Sequence, residues 1–333
     1  MTNQSKTINA LRWAVLGLAV VLPLFMSAIF ILRPDSFSAV TIWPVWFWLI
    51  GGLFGLLLFS AAIPKRMRFV ILGLWVIFGL VCCDEPVSLL RFRTLSDLTP
   101  EVRLNSGVVR VISLNCGGGL AEALDEVVKF QPDIVLAQES PSSEDVAKTA
   151  KRLYGNAGSY VYGVDSSVIF KGRGTIVMQD IRGSVVDVEL EPGFNLRVAS
   201  VHLPTPSTRA DLWSRDCWRE YQDIWNEQSR LLAKYKAFLM KSSSPKLIGG
   251  DFNLPARDGA TRSLKPELRD AYPSSGSGLC NTIINDYPMH RIDQIWVSSD
   301  MQPQTMRVFK TKHSDHRMVV CDLSVELRKL PRK

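Results

Sequence analysis

Residues 246–255 read KLIGGDFNLP. The run Lys246-Leu247-Ile248 has the composition of a strand and breaks at Gly249-Gly250. Paired glycines let a backbone bend, or approach another group closely, where a side chain would obstruct. Asp251 and Asn253 follow at once around the bulky Phe252. A carboxylate and a carboxamide at the end of a buried strand stand where open α/β sheets keep their sites. Asp and Asn are also ordinary turn residues, so the stretch alone leaves both readings open.

Working outward, strand-like runs cover 108–114, 133–137, 166–170, 174–178, 184–190 and 195–203, then 291–297, 304–311 and 318–327. Helical spacing is confined to Leu120–Phe130 and a long stretch, Arg209–Lys241. Strands outnumber helices and mix alternating with continuous apolar patterns, which points to a two-sheet α/β sandwich with helices outside. The glycines of CGGGL, 116–120, lack the GxGxxG spacing of a dinucleotide site.

The first 103 residues differ in kind. Trp13–Leu32 holds 20 residues without a charge, enough for one membrane crossing. Ser36–Ile63 is a second uncharged run of 28, with Trp43, Trp46 and Trp48 placed as an interfacial belt, and Phe69–Cys83 a third of only 15. A cleaved signal peptide is disfavoured by the length of the first run and the second directly behind it. The expected organisation is a membrane segment 1–83 of two to three spans, a linker 84–103 and a globular domain 104–330. Lys6 and Arg12 before the first span, and Lys65, Arg66 and Arg68 after the second, put the N-terminus in the cytoplasm. Three spans, favoured because the third run is uncharged and rich in Leu, Ile, Val and Phe, would make the globular domain extracytoplasmic; two would leave it cytoplasmic.

The net charge of +7 divides unevenly: residues 1–103 carry 9 basic and 5 acidic side chains, the remainder 30 and 27. A globular part of only +3 is not the footprint of a tight nucleic-acid binder. The six cysteines include no CxxC, which argues against zinc; Cys116, Cys217, Cys280 and Cys321 fit either disulfides or buried thiols.

Polar groups recur where strand runs end: Asn115, Glu139, His202, Asp251, Asn253, Asp293, Asp315 and His316. Each has a plain structural reading as a strand terminus, turn or ion pair. Together, so many acidic and imidazole groups would repel and lose solvation without a shared partner. A divalent cation supplies one, and Mg²⁺ in particular takes oxygen ligands together with substrate phosphate. Histidines beside such an ion suit proton transfer to or from a phosphate ester.

The ordered motifs SLNC (113–116), AQES (137–140), SVHLPTP (200–206), GGDFNLP (249–255), HRIDQIW (290–296) and HSDHRM (313–318) resemble the DNase I-like endonuclease/exonuclease/phosphatase superfamily, here as a membrane-anchored, bacterial-type member. The resemblance covers about residues 108–327. It implies a four-layer α/β sandwich, two central β-sheets flanked by helices, preceded by the N-terminal transmembrane helical segment. It also implies Mg²⁺, with Mn²⁺ as a substitute, held by Glu139 and supported by Asn115 and Asp315. Asp251 would orient or deprotonate the attacking water, and Asn253 would hydrogen-bond a phosphate oxygen. Asp293 would fix and charge His316, and His202 resembles the second histidine of the DNase I and sphingomyelinase branches. Two departures stand out: the Tyr motif of the abasic-site endonucleases is replaced by the run at His202, and Met318 stands where many members have Pro. Arg173 and Arg209 are candidates for phosphate contact or plain surface residues.

The implied activity is a membrane-anchored phosphodiesterase acting on nucleic acid. A phospholipid, sphingomyelin or phosphoinositide substrate is the alternative, and a non-catalytic membrane scaffold a third.

Overall fold

A computed structural model describes residues 3–83, 85–206 and 209–326. Asp84, in the expected linker, and Leu327, at the end of the expected last strand, lie outside the described residues. The chain forms two compact units, Met1–Pro86 with Arg209–Gln222, and Val87–Thr208 with Asp223–Lys333.

The larger unit is an α/β sandwich of twelve described strands: β1 (Val108–Asn115), β2 (Ile134–Gln138), β3 (Gly158–Val161), β4 (Ser166–Lys171), β5 (Arg173–Asp180), β6 (Gly183–Glu191), β7 (Phe194–His202), β8 (Lys246–Asp251), β9 (Leu268–Asp270), β10 (Asp293–Ser298), β11 (Met301–Phe309) and β12 (Met318–Val325). They form two six-stranded sheets, ordered β11-β12-β1-β2-β4-β3 and β5-β6-β7-β8-β10-β9. At the centre of each lies one parallel pair, β1–β2 and β7–β8, flanked by antiparallel neighbours. Strand side chains alternate between faces, and the packing follows. Val109 and Val111 point into the core between the sheets, with Leu136, Val168, Val186, Val198, Leu247 and Ile295. Ile112 and Leu114 face outward onto Leu124, Val146 and Ala150 of the helical segments Ala121–Phe130 and Ser143–Tyr154. On the other sheet Ala199, Val201 and Ile248 pack against Leu231, Leu232 and Tyr235 of the helix Arg215–Leu239. Burial on both faces explains why the central strands read as continuous apolar runs.

Residues 87–103 are hydrogen-bonded onto this unit. The Arg93 N–H donates to Ser277 Oγ at 3.0 Å and the Ser96 N–H to Asp322 Oδ2 at 2.8 Å. All six cysteines are free thiols.

In the smaller unit, Asn9–Leu32 is a continuous stretch of helix, long and apolar enough to cross a membrane. The expected second span is two pieces, Asp35–Thr41 and Val45–Leu58, bent by 70° at the break. Proline explains the break: Pro44 disfavours helical geometry at Trp43 before it. The third run lies on the helix Lys65–Cys82, whose first turn carries Lys65, Arg66 and Arg68. Phe30 packs edge-on against Phe78 at 5.6 Å, while Arg12 and Leu16 share a cavity with Lys65 and Arg68. The first and last of these helices therefore run in the same direction.

The two glycines of the opening motif have a steric cause. Gly250 sits at φ +143°, and a Cβ there would lie 1.9 Å from the Val201 carbonyl oxygen on β7; at Gly249 it would lie 2.7 Å from Leu136 of the opposite sheet. Gly250→Ala should destabilise the fold by about 3 kcal/mol or more through strain and overlap. Chemical denaturation of the purified protein checks it, read as a fall in midpoint.

Candidate active site

The β-register brings the polar strand ends to one place. Asn115 pairs with Gln138 at the ends of β1 and β2, and His202 with Asp251 at the ends of β7 and β8. β10 is antiparallel to β8 and opens with Asp293 directly opposite Asp251. β12 is antiparallel to β1, so Asp315 and His316, just before Met318, reach the same end. The chain thus gathers all eight expected residues at one end of the sandwich.

Asp251 is the hub. It is 1% exposed. Its Oδ2 accepts a hydrogen bond from Asn115 Nδ2 at 3.0 Å, and its Oδ1 accepts the Asn253 N–H at 2.9 Å. Both His202 Nε2 and His316 Nε2 stand 3.7 Å from that Oδ2. Each imidazole is backed by a second carboxylate: His316 Nδ1 meets Asp293 Oδ2 at 2.9 Å, and His202 Nδ1 meets Asp165 Oδ1 at 3.0 Å. Two carboxylate–imidazole pairs therefore flank one carboxylate.

Asp165 was not among the expected residues. It precedes β4, which runs antiparallel to β2 and so begins beside the end of that strand. The Asp165 carbonyl also accepts the Glu139 N–H at 3.0 Å. Its sequence signal is weak, an acidic residue before a strand in VDSS. Gln228 was missed too; its amide donates to the Pro204 and Asn253 carbonyls at 2.8 and 3.1 Å and fixes the loop after β8.

Asn115 is turned so that its amide nitrogen joins the two carboxylates, donating to Glu139 Oε1 as well as to Asp251, both at 3.0 Å. Its Oδ1 accepts the Gly117 N–H. In this orientation Asn115 positions Glu139 rather than offering an oxygen beside it. The other Glu139 oxygen accepts the Gly118 N–H. Glu139 and Asn253 both hold positive φ, 43° and 50°, an uncommon conformation for residues other than glycine. Asn253 also donates from Nδ2 to the Leu203 carbonyl at 2.9 Å.

Beneath the hub, Ser113, Gln138, Ser166 and Ser200 link the two sheets through buried hydrogen bonds of 2.6–3.3 Å. Arg173 lies elsewhere: the antiparallel pairing of β5, β6 and β7 puts it at the opposite end of the sheet. Arg209 belongs to the smaller unit and is held by Asp211 and Glu220. Both therefore take the surface role.

Electrostatics divide the acids. Burial pushes the Asp251 carboxyl up, the charge of Asp293 adds to this, and the imidazoles only partly oppose it. Glu139 also feels burial, but the Asn115 amide, the Gly118 N–H and the two imidazoles outweigh it and hold its carboxyl below the usual value. For His316 burial opposes protonation, yet the charge and hydrogen bond of Asp293, with Asp251 and Asp315 behind them, push the ring up to about 10. The donor set suits a hard divalent cation. Glu139 and Asp315 offer oxygens, and carboxylate oxygens of Asp251 and Asp293 lie within 4.8 Å of each other and of a His316 ring nitrogen, which the protonated ring does not lend to a metal. Asp293 Oδ1 is buried and, among the described residues, lacks a hydrogen-bond partner, an orphan that a cation or a water would satisfy.

The endonuclease/exonuclease/phosphatase family model matches residues 112–316, and members of that family are phosphoric ester hydrolases, generally dependent on a divalent metal. Among solved structures, a Bacteroides thetaiotaomicron endonuclease/exonuclease/phosphatase family protein superposes with a TM-score of 0.52 at 14% identity, over 65% of this chain and 94% of that one. A humanized D. rerio TDP2 gives 0.50 at 18%, over 66% and 99%. TDP2 from Caenorhabditis elegans gives 0.50 at 16%, over 82% and 89%. At these identities the likeness is one of fold. No curated protein matches the sequence.

The His316 shift fixes a sign for stability. A ring with an ordinary value of 6.5 that rises to about 10 on folding stabilises the protein fully below pH about 6.5 and loses that contribution as pH rises through about 10. In EDTA the denaturation midpoint should fall across that window, and His316→Asn should flatten the fall.

Proposed function

The chain belongs to the endonuclease/exonuclease/phosphatase family, and we propose that it is a membrane-anchored phosphodiesterase that cleaves nucleic-acid phosphodiester bonds by attack of water. The observation that carries this reading is the buried Asp251 between two carboxylate-backed imidazoles. A carboxylate raised by burial is a better base at neutral pH than an exposed one. Asp251 takes the proton of the attacking water and aims it along the axis of the breaking bond. His316, protonated at neutral pH, donates to an oxygen of the phosphoryl group as negative charge grows there. His202, steadied by Asp165, serves the opposite flank and is placed to hand a proton to the departing alkoxide. Asn253 keeps one amide N–H on Leu203 and turns the other to a phosphate oxygen. Glu139 and Asp315 would hold the divalent cation, Mg²⁺ or Mn²⁺, which when bound offsets charge on the phosphoryl oxygens. Asn115 keeps Glu139 and Asp251 at their spacing.

Membrane anchorage is supported by the helix Asn9–Leu32. Large apolar side chains are also exposed along the other two helices: Phe54 60%, Leu57 72%, Phe69 75% and Ile77 57%. Water would penalise such a surface, and a bilayer would not. The parallel course of the first and last helices supports three spans, hence an extracytoplasmic catalytic unit.

A second reading, a phospholipid or other amphiphilic phosphodiester, is favoured by the rim of the site. Val164 (72% exposed) adjoins Asp165, and Ile181 (72%) adjoins Arg182, whose carbonyl accepts the His202 N–H. Ile284 (46%) and Tyr287 (80%) stand on the loop whose Ile283 bridges to His316. An apolar rim is poor ground for a phosphate backbone and good ground for acyl chains.

Full-length protein in detergent, with Mg²⁺, should cleave single- or double-stranded DNA faster than phospholipid micelles. EDTA should abolish the activity, and Asp251→Asn should lower kcat on the order of 10³-fold. Asp165→Asn should cost on the order of 10²-fold, with the loss mainly in kcat. Faster turnover of micelles, lost on Tyr287→Ser, would favour the second reading; an inert, folded protein would contradict both.

A further inference from the structure

We propose that the basic end of the helical unit is a binding site for a phosphate-bearing anion, specifically the headgroup phosphate of an anionic membrane lipid. A cavity of about 400 Å³ opens there, lined by Asn9, Arg12, Trp13, Pro64, Lys65 and Arg68. It lies between the first helix and the start of the helix Lys65–Cys82, and it belongs wholly to the smaller unit. Three of its ten lining residues, Arg12, Lys65 and Arg68, are cationic, and among the described residues none of the three is in an ion pair. Asp35 lies beyond the far end of the first helix from Arg12, about 35 Å along its axis at 1.5 Å per residue.

Gathering like charges around a cavity costs repulsion that a shared anion removes. The remaining features specify which anion. Arg68 is steadied by its Nε–H, which donates to the Ile63 carbonyl at 2.8 Å. That leaves the terminal guanidinium nitrogens for a bidentate partner, the geometry that suits phosphate oxygens. Pro64 caps the 18-residue helix without a side-chain hydrogen bond, so free N–H groups of its first turn add positive potential. Trp13 is 72% exposed at the same level; an indole there fits the headgroup zone, where one side is apolar and the other wet. A free soluble phosphate would match the charges but not the tryptophan or the apolar wall of Leu16 and Ile63. Arg66, also exposed, does not line the cavity and provides an internal comparison.

The inference rests on the membrane reading but not on the catalytic one. The test uses the full chain in detergent micelles, titrated with dioleoylphosphatidylglycerol or dioleoylphosphatidylcholine and read by native mass spectrometry. The expected result is retention of the anionic lipid on the order of tenfold better or more, undiminished by millimolar inorganic phosphate. Arg12→Gln/Lys65→Gln/Arg68→Gln should erase the preference, the single Arg12→Gln should weaken it, and Arg66→Gln should preserve it. Because Arg12 is exposed, the single variant answers even where the triple variant fails to fold. Displacement by inorganic phosphate would keep the site and assign it to the free anion. Equal retention of both lipids, or equal loss in Arg66→Gln and Arg12→Gln, would overturn the site. Flotation with phosphatidylcholine vesicles would show separately that insertion itself stands.

Discussion

Much of the larger unit is arranged to keep one carboxylate buried. Asp251 and Asp293 sit directly opposite each other on neighbouring antiparallel strands, and both are essentially inaccessible to water. Like charges in that register repel, and burial removes the water that would screen them. The fold tolerates the pair because His316 lies between them, hydrogen-bonded to one and 3.7 Å from the other, while Asn115 and the Asn253 N–H satisfy the oxygens of Asp251. Those partners arrive from β1, the turn after β8 and the approach to β12. The site therefore exists only when both sheets are assembled and in register. The close passage of β8 past β7 at Gly250 is part of the same condition.

The legible parts of the sequence were those where one residue type has one structural use. Central strands were visible because burial on both faces leaves them uninterrupted apolar runs. The eight polar residues were visible because they end those runs. What escaped was short, exposed or non-local. The strand Gly158–Val161 has four residues at a sheet edge, and Leu268–Asp270 has three. The helix Ser143–Tyr154 buries only Val146, Thr149 and Ala150, a stripe too thin to stand out among its charges, although Ser142 caps Asp145 as an N-terminal signal. Asp165 gains its meaning from His202, 37 residues away at the end of a strand in the other sheet, and no local pattern announces that. The role of Asn115 turns on which way its amide faces, which only the surrounding donors decide.

The N-terminal segment teaches a related point. Its uncharged runs read alike in composition, yet one lies in a continuous helix, one is bent at Pro44 and one lies on a helix that opens with three basic side chains. Their packing, Phe30 on Phe78 and Trp75 against Gly52, is what sets a direction for the last helix. The near-neutral charge of the larger unit and the apolar rim of its site are the features that favour an amphiphile over the proposed nucleic acid. The chemistry proposed at phosphorus is common to both.

The central claim is that Asp293 and His316 act as one unit beside Asp251. A double-mutant cycle on kcat for an activated phosphodiester such as bis(p-nitrophenyl) phosphate, in the full-length protein with Mg²⁺, tests it most directly. The account predicts that Asp293→Asn, His316→Ala and the double variant lose similar activity, because removing either partner disables the pair. Losses that multiply independently, or a folded double variant with near-normal turnover, would contradict it.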